Sequence, residues 1–149
     1  MQNKSENVNQ TVKLLRECNS GIKMGVDSIN QVLPHVKNEE FKNMLISCKE
    51  LHQKLGSRTH ELLNQHENPI KSPPLMAKSM SWIKTNAALA FSENENTAAS
   101  ILTDGCNMGV KSLNRYLNEY PGADQKAVDI AKELIDCEKN LCRDMQRFL

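Results

Sequence analysis

The sequence predicts an all-α fold, a four-helix bundle of two repeated antiparallel hairpins with a long helical crossover connection. Three observations predict the helices and their pairing. Apolar residues recur at alternating spacings of four and three through four long segments. Aromatic residues are only 4% of the 149-residue chain, so Val, Ile, Leu, Met and Ala carry the apolar mass, a balance that favours helix over sheet. A stretch of the first segment is repeated in the third without a gap.

The first stripe reads Val8, Val12, Leu15, Asn19, Ile22, Val26, Ile29, Leu33, and Pro34 ends it because a proline excludes its predecessor from helical geometry. Asn38 is placed to cap the second helix, with Glu39 and Glu40 at the positive end of its dipole. Its stripe runs Phe41, Leu45, Cys48, His52, Leu55, Thr59, Leu62, and Gly56-Ser57 is a point where it could bend. The third, with Thr97 as its cap, reads Ala99, Thr103, Cys106, Val110, Leu113, Leu117 and stops at Pro121-Gly122. The fourth reads Ala127, Ala131, Leu134, Glu138, Leu141, Met145, Phe148. Both turns within the pairs are short, which makes each pair antiparallel. The expected divisions of the single domain are hairpin one over 8–64, a crossover over 65–96 and hairpin two over 97–149.

The crossover opens with Asn68-Pro69 and Ser72-Pro73-Pro74, a turn and a helix start. Leu75 to Phe91 then reads as a shorter amphipathic helix carrying Met76, Met80, Trp82 and Ile83. That apolar face is expected to close the bundle. A connection of this length can run along the bundle, as long crossovers do.

The repeat aligns Gly21-Ile22-Lys23-Met24-Gly25-Val26-Asp27-Ser28-Ile29-Asn30 with Gly105-Cys106-Asn107-Met108-Gly109-Val110-Lys111-Ser112-Leu113-Asn114. The offset from Gly25 to Gly109 is 84 residues. Glycine in a helix interior costs up to about 1 kcal/mol relative to alanine. Two equivalent pairs therefore imply a return, and close backbone approach between helices one and three is the expected one.

Each stripe carries one polar residue where an apolar one belongs: Asn19, His52, Thr103 and Glu138. Asn19 stands 17 residues before Val36 and His52 16 after it; Thr103 stands 18 before Pro121 and Glu138 17 after. Within a hairpin each pair thus lies at one level. A buried carboxylate needs a partner, and His52 is the expected partner of Glu138. Cys48 and Cys106 lie about one helical turn from polar members of this layer, and Cys18 and Cys137 adjoin two others. His52 and Glu138, completed by Cys48 or Cys106, form the candidate metal site, for one Zn or Fe ion. A hydrogen-bonded polar layer that fixes register is the competing reading, and a small-ligand pocket within the layer is a third.

Two related hairpins, a long crossover and mid-bundle polar residues resemble the ferritin-like fold. The connector SPPLMAKSMSWIKTNAALAF and the stretch DGCNMGVKSLN look similar to uncharacterised bacterial ferritin-like proteins more than to ferritins proper. Di-iron members of that fold place glutamates on two helices and Glu-x-x-His on the other two. In this chain Asn19 and Thr103 stand where the two glutamates would be, and Lys49-x-x-His52 and Ile135-x-x-Glu138 replace the paired motifs. Too few ligands remain for two irons. The resemblance therefore implies a non-enzymatic bundle with a structural or protein-interaction role, as a homodimer or with a protein partner. Ferritin-like relatives associated with the spore coat make a spore-coat role one form of that expectation. The alternative is a mononuclear metal-binding or thiol redox-responsive protein.

Other classes find no support. Net charge is +1, with lysines spread among acids, unlike the one-sided basic stripe of a nucleic-acid binder. The six glycines make neither GxGxxG nor a phosphate loop, and no Ser-His-Asp set can be placed. The N-terminal MQNKSENVNQ lacks the apolar core of a signal peptide, and the longest apolar run, Ala87 to Phe91, is too short to span a bilayer. A cytoplasmic location, with the five cysteines as free thiols, is the expectation.

Overall fold

A computed structural model describes residues 4–66 and 95–149. The turn and amphipathic helix expected between Asn68 and Phe91 lie outside the described residues. Among those described, all regular structure is helical. It comprises four long helices, α1 (Lys4–Val32), α2 (Glu39–Gln65), α3 (Glu95–Glu119) and α4 (Gln125–Met145), with a short 3-10 turn between α1 and α2 at Leu33–His35 and another after α4 at Gln146–Phe148. At 29 residues, α1 spans roughly 43 Å.

The caps form for the reasons visible in the sequence. Asn38 Oδ1 accepts from the Phe41 amide at 3.0 Å and starts α2. Asp124 accepts from the Gln125 amide at 2.9 Å and starts α4. Pro34 sits within the 3-10 turn that closes α1. α3 begins two residues before the expected Thr97 cap, at Glu95. Its carboxylate accepts from the backbone amides of Lys37 and Asn38 in the first turn. At the other end, the Gly122 amide donates to Gln10 Oε1 and the Asp124 amide to Thr11 Oγ1, at 2.6 and 2.7 Å. The first turn therefore docks on the start of α3 and the second on the start of α1. These anchors run α1 antiparallel to α3 and α2 antiparallel to α4. Gln65 and Glu95 consequently lie at opposite ends of the bundle.

The core is divided in two. One half gathers Val12, Leu14, Leu15, Cys18, Ile22, Leu55, Leu63, Leu113, Ile130 and Leu134 near the second turn. The other gathers Ile29, Val32, Phe41, Leu45, Cys48, Ala99, Leu102, Cys106, Cys137, Leu141 and Met145 near the first. Phe148 stacks on Phe41 with ring centroids 4.6 Å apart, tying the C-terminal turn to α2. Buried His52 falls in sequence between Cys48 of one half and Leu55 of the other, and buried Glu138 follows Cys137 at the edge of the half near the first turn.

One position of the α2 stripe changes: Leu63 is buried where Leu62 was expected, while Gly56-Ser57 lies inside α2 as the stripe has it. Asn19 is turned away from the core: its Oδ1 accepts from exposed His60 Nε2 at 2.9 Å, and its neighbour Cys18 fills the interior instead. The polar layer thus narrows to His52 and Glu138: Val12, Leu15, Ile22 and Ile29 stay buried as expected, but Cys18 takes the inward place of Asn19, and Thr103 is half-buried beside buried Leu102.

Candidate metal centre

Cys48 and His52 are four residues apart on α2, which sets them on one face, one turn from each other. The chain turns the imidazole back along its own helix, so that Nδ1 lies 2.8 Å from the Cys48 carbonyl oxygen. An oxygen of that kind only accepts, and the ring proton therefore sits on Nδ1. Cys137 enters from α4. Its Sγ lies 3.4 Å from Cys48 Sγ and 3.7 Å from His52 Nδ1, and Cys48 Sγ is 3.5 Å from the same nitrogen.

These three separations are close to the edges of a tetrahedral zinc site. With Zn–S near 2.3 Å and Zn–N near 2.0–2.1 Å, two thiolates stand about 3.8 Å apart and a thiolate and an imidazole about 3.6 Å. Cys48, His52 and Cys137 are all buried, their donor atoms lie within 4.8 Å of one another, and the group could hold a metal ion.

The electrostatics follow from crowding three titratable groups in a dry interior. Cys137 is pulled down to about 5, first by the hydrogen bond from Cys48 and then by His52. Cys48, which supplies that hydrogen bond, is pushed far up by it and by burial. Burial works against the His52 imidazolium, but Cys137 and Glu138 outweigh it and push the ring up to about 10. Burial raises Glu138 and is only partly offset by His52.

The residues expected to form a site fall into two sets. Cys48 and His52 lie in the donor group. Glu138 approaches the far edge of the ring, with Oε1 3.9 Å from His52 Nε2, longer than a hydrogen bond. Cys106 is buried nearby on α3, its thiol pushed up by burial, but is not a member of the donor group. Cys137 completes the group. The sequence placed it beside Glu138, yet an off-stripe cysteine carries no periodic signal, and only the approach of α4 to α2 brings it in.

The glycines of the repeat have a different role from the expected one. A β-carbon at Gly25 would meet the His52 ring at 2.7 Å, and one at Gly109 would overlap the Glu138 carboxylate. At both positions the three nearest atoms belong to a side chain of the hairpin partner. Each glycine clears the tip of a polar side chain from its own hairpin partner, His52 against α1 and Glu138 against α3.

No helix among the described residues is long and apolar enough to cross a membrane. No family model matches the chain, and neither a curated protein nor a solved structure matches it.

Proposed function

We propose that this protein is a ferritin-like helical bundle whose function is to bind one zinc-class ion through Cys48, His52 and Cys137. The observation that carries the reading is the convergence of two thiols and an imidazole nitrogen in the bundle interior. Soft thiolates favour zinc over magnesium or calcium. Three protein donors leave a fourth position for water or another ligand. The ferritin-like frame is supported by the antiparallel α1–α3 and α2–α4 pairs. It is supported also by the opposite placement of Gln65 and Glu95, which a lengthwise crossover would join.

The donors must lose protons to take the ion. Cys137 is nearest to its thiolate form, whereas Cys48 and the Nδ1 position each give one up. The bond from Nδ1 to the Cys48 carbonyl is exchanged for the bond to metal.

Elemental mass spectrometry tests this on protein purified without an affinity metal, before and after zinc and anaerobic ferrous loading. Near-stoichiometric zinc, lost in His52→Ala and Cys137→Ser and kept in Cys142→Ser, is the expected result. No metal under any of these conditions would sink the reading. The non-enzymatic scaffold would then be preferred.

The 3.4 Å approach of Cys48 Sγ to Cys137 Sγ favours one second reading, a reversible dithiol. A hydroperoxide would accept the two electrons and two protons of the thiols and be reduced to an alcohol and water (two waters for hydrogen peroxide) as the S–S bond forms. Intact mass after peroxide treatment distinguishes it: loss of two hydrogens in wild type, absent in Cys48→Ser.

A further inference from the structure

Along the seam between α1 and α3 runs a cavity of about 250 Å³. Its walls are mainly apolar, with Met24, Ile29, Leu102, Leu113 and Leu141 among the described lining residues. All four repeat glycines, Gly21, Gly25, Gly105 and Gly109, line it as well, and His52 and Glu138 reach it from α2 and α4. An apolar cavity of about 150 Å³ already admits benzene. This one has room for a hydrocarbon group of that size and a polar head.

The polar groups in the lining are incomplete. Glu138 is only 7% exposed, yet its Oε2 has no hydrogen-bond partner among the described residues. Ser20, 5% exposed and also in the lining, has an unpartnered Oγ. The facing imidazole of His52 stands 3.9 Å from Glu138 Oε1, longer than a hydrogen bond, and its other edge is engaged by the Cys48 carbonyl and near the Cys137 thiol. A buried carboxylate oxygen without a donor is costly. What completes this site must donate hydrogen bonds at one end and bury an apolar body at the other. Clearing a path for Glu138 is the role of Gly109, so the sequence itself sets this carboxylate against the α1–α3 seam.

We propose that the cavity binds a small primary amine, its ammonium group on Glu138 and its hydrocarbon part along the α1–α3 seam. The Ser20 hydroxyl, which accepts as well as donates, is a second partner for the head. A carboxylate ligand would bring acceptors to an acceptor, and an alcohol offers one donor for the two unpartnered oxygens where an ammonium offers three. The site uses the opposite edge of His52 from the metal donors, and the proposal does not depend on a metal being bound.

Calorimetric titration of the chelator-treated full chain with n-hexylamine, n-hexanol and hexanoate tests it. One hexylamine per chain is expected, bound at least about tenfold more tightly than hexanol, with no binding of hexanoate. Glu138→Gln keeps the shape of the side chain; it should weaken hexylamine about tenfold and leave hexanol unchanged. Amide signals of Gly25 and Gly109 in the wild-type protein should shift on adding hexylamine while those of Gly56 and Gly122 stay, a readout that does not require the variant to fold. Absence of saturable hexylamine binding, preference for hexanoate, or unchanged amine affinity in Glu138→Gln would each overturn the proposal.

Discussion

Gly25 lies directly beneath the His52 imidazole: a β-carbon on it would stand 2.7 Å from both Cδ2 and Nε2 of the ring. The ring is held by its own helix through the Cys48 carbonyl. Gly25→Ala is therefore expected to tilt His52 out of the donor group. Alanine gains up to about 1 kcal/mol of helix propensity, and overpacking costs about 1–3 kcal/mol, so the net effect is destabilising. Zinc affinity should fall with it. Gly21→Ala is the control. Its β-carbon would meet Leu134 Cδ2 at an ordinary 3.9 Å, and it should stabilise the protein by about 0.5–1 kcal/mol. Thermal melts and zinc titrations of both variants check this; a Gly25→Ala protein with wild-type affinity would refute the packing argument.

Thr11 joins the start of α1 to the second turn. Its hydroxyl donates to the Asn7 carbonyl at 2.8 Å and accepts from the Asp124 amide at 2.7 Å, and the residue is 2% exposed. Thr11→Val keeps the shape but removes the acceptor of a part-buried amide and the donor to Asn7. The expected loss is about 0.5–1.5 kcal/mol in urea unfolding, with the amide of Asp124 exchanging faster.

The thiols differ in access. Cys142 is partly exposed, whereas Cys18, Cys48, Cys106 and Cys137 are buried. Iodoacetamide on native protein should modify Cys142 first. Cys137 should follow slowly, because a shallow groove between α2 and α4 reaches it and its thiol is held low. Zinc should suppress labelling of Cys137 and leave Cys142 unchanged. Peptide mass mapping reads the order, and equal protection of both would contradict the donor assignment.

Cys18 gives a pH prediction with a definite sign. Burial pushes its thiol up to about 12 from an ordinary value of 9.0. The unfolded chain thus loses this proton first. Its contribution to stability is complete below pH 9 and is lost as pH rises towards 12, by up to about 1.4 kcal/mol per pH unit. Cys18→Ala should be less stable at neutral pH through lost packing and show a shallower alkaline decline. Parallel stability curves for the two proteins would exclude the assignment.

Much of the fold could be read from the residues. The periodic stripes located all four helices, and Pro34, Asn38 and Pro121-Gly122 marked the breaks between partners, because these features act through local backbone geometry. The stripes also identified His52 and Glu138 as the interior polar residues, since burial follows helical phase. The self-match singled out Gly25 and Gly109, and composition alone made their cost plain.

The tertiary structure decided what those residues face. Helical phase states which side is inward but not what stands opposite, so the close approach expected at the glycines was assigned to the wrong neighbour: side chains of the hairpin partners stand nearest to Gly25 and Gly109. Asn19 yielded its interior place to Cys18 because two adjacent residues compete for one inward direction, and packing favoured the apolar one. Cys137 joined Cys48 and His52 only through the docking of α4 on α2. A donor group built across two helices 85 residues apart depends on that relative placement, which no local pattern encodes.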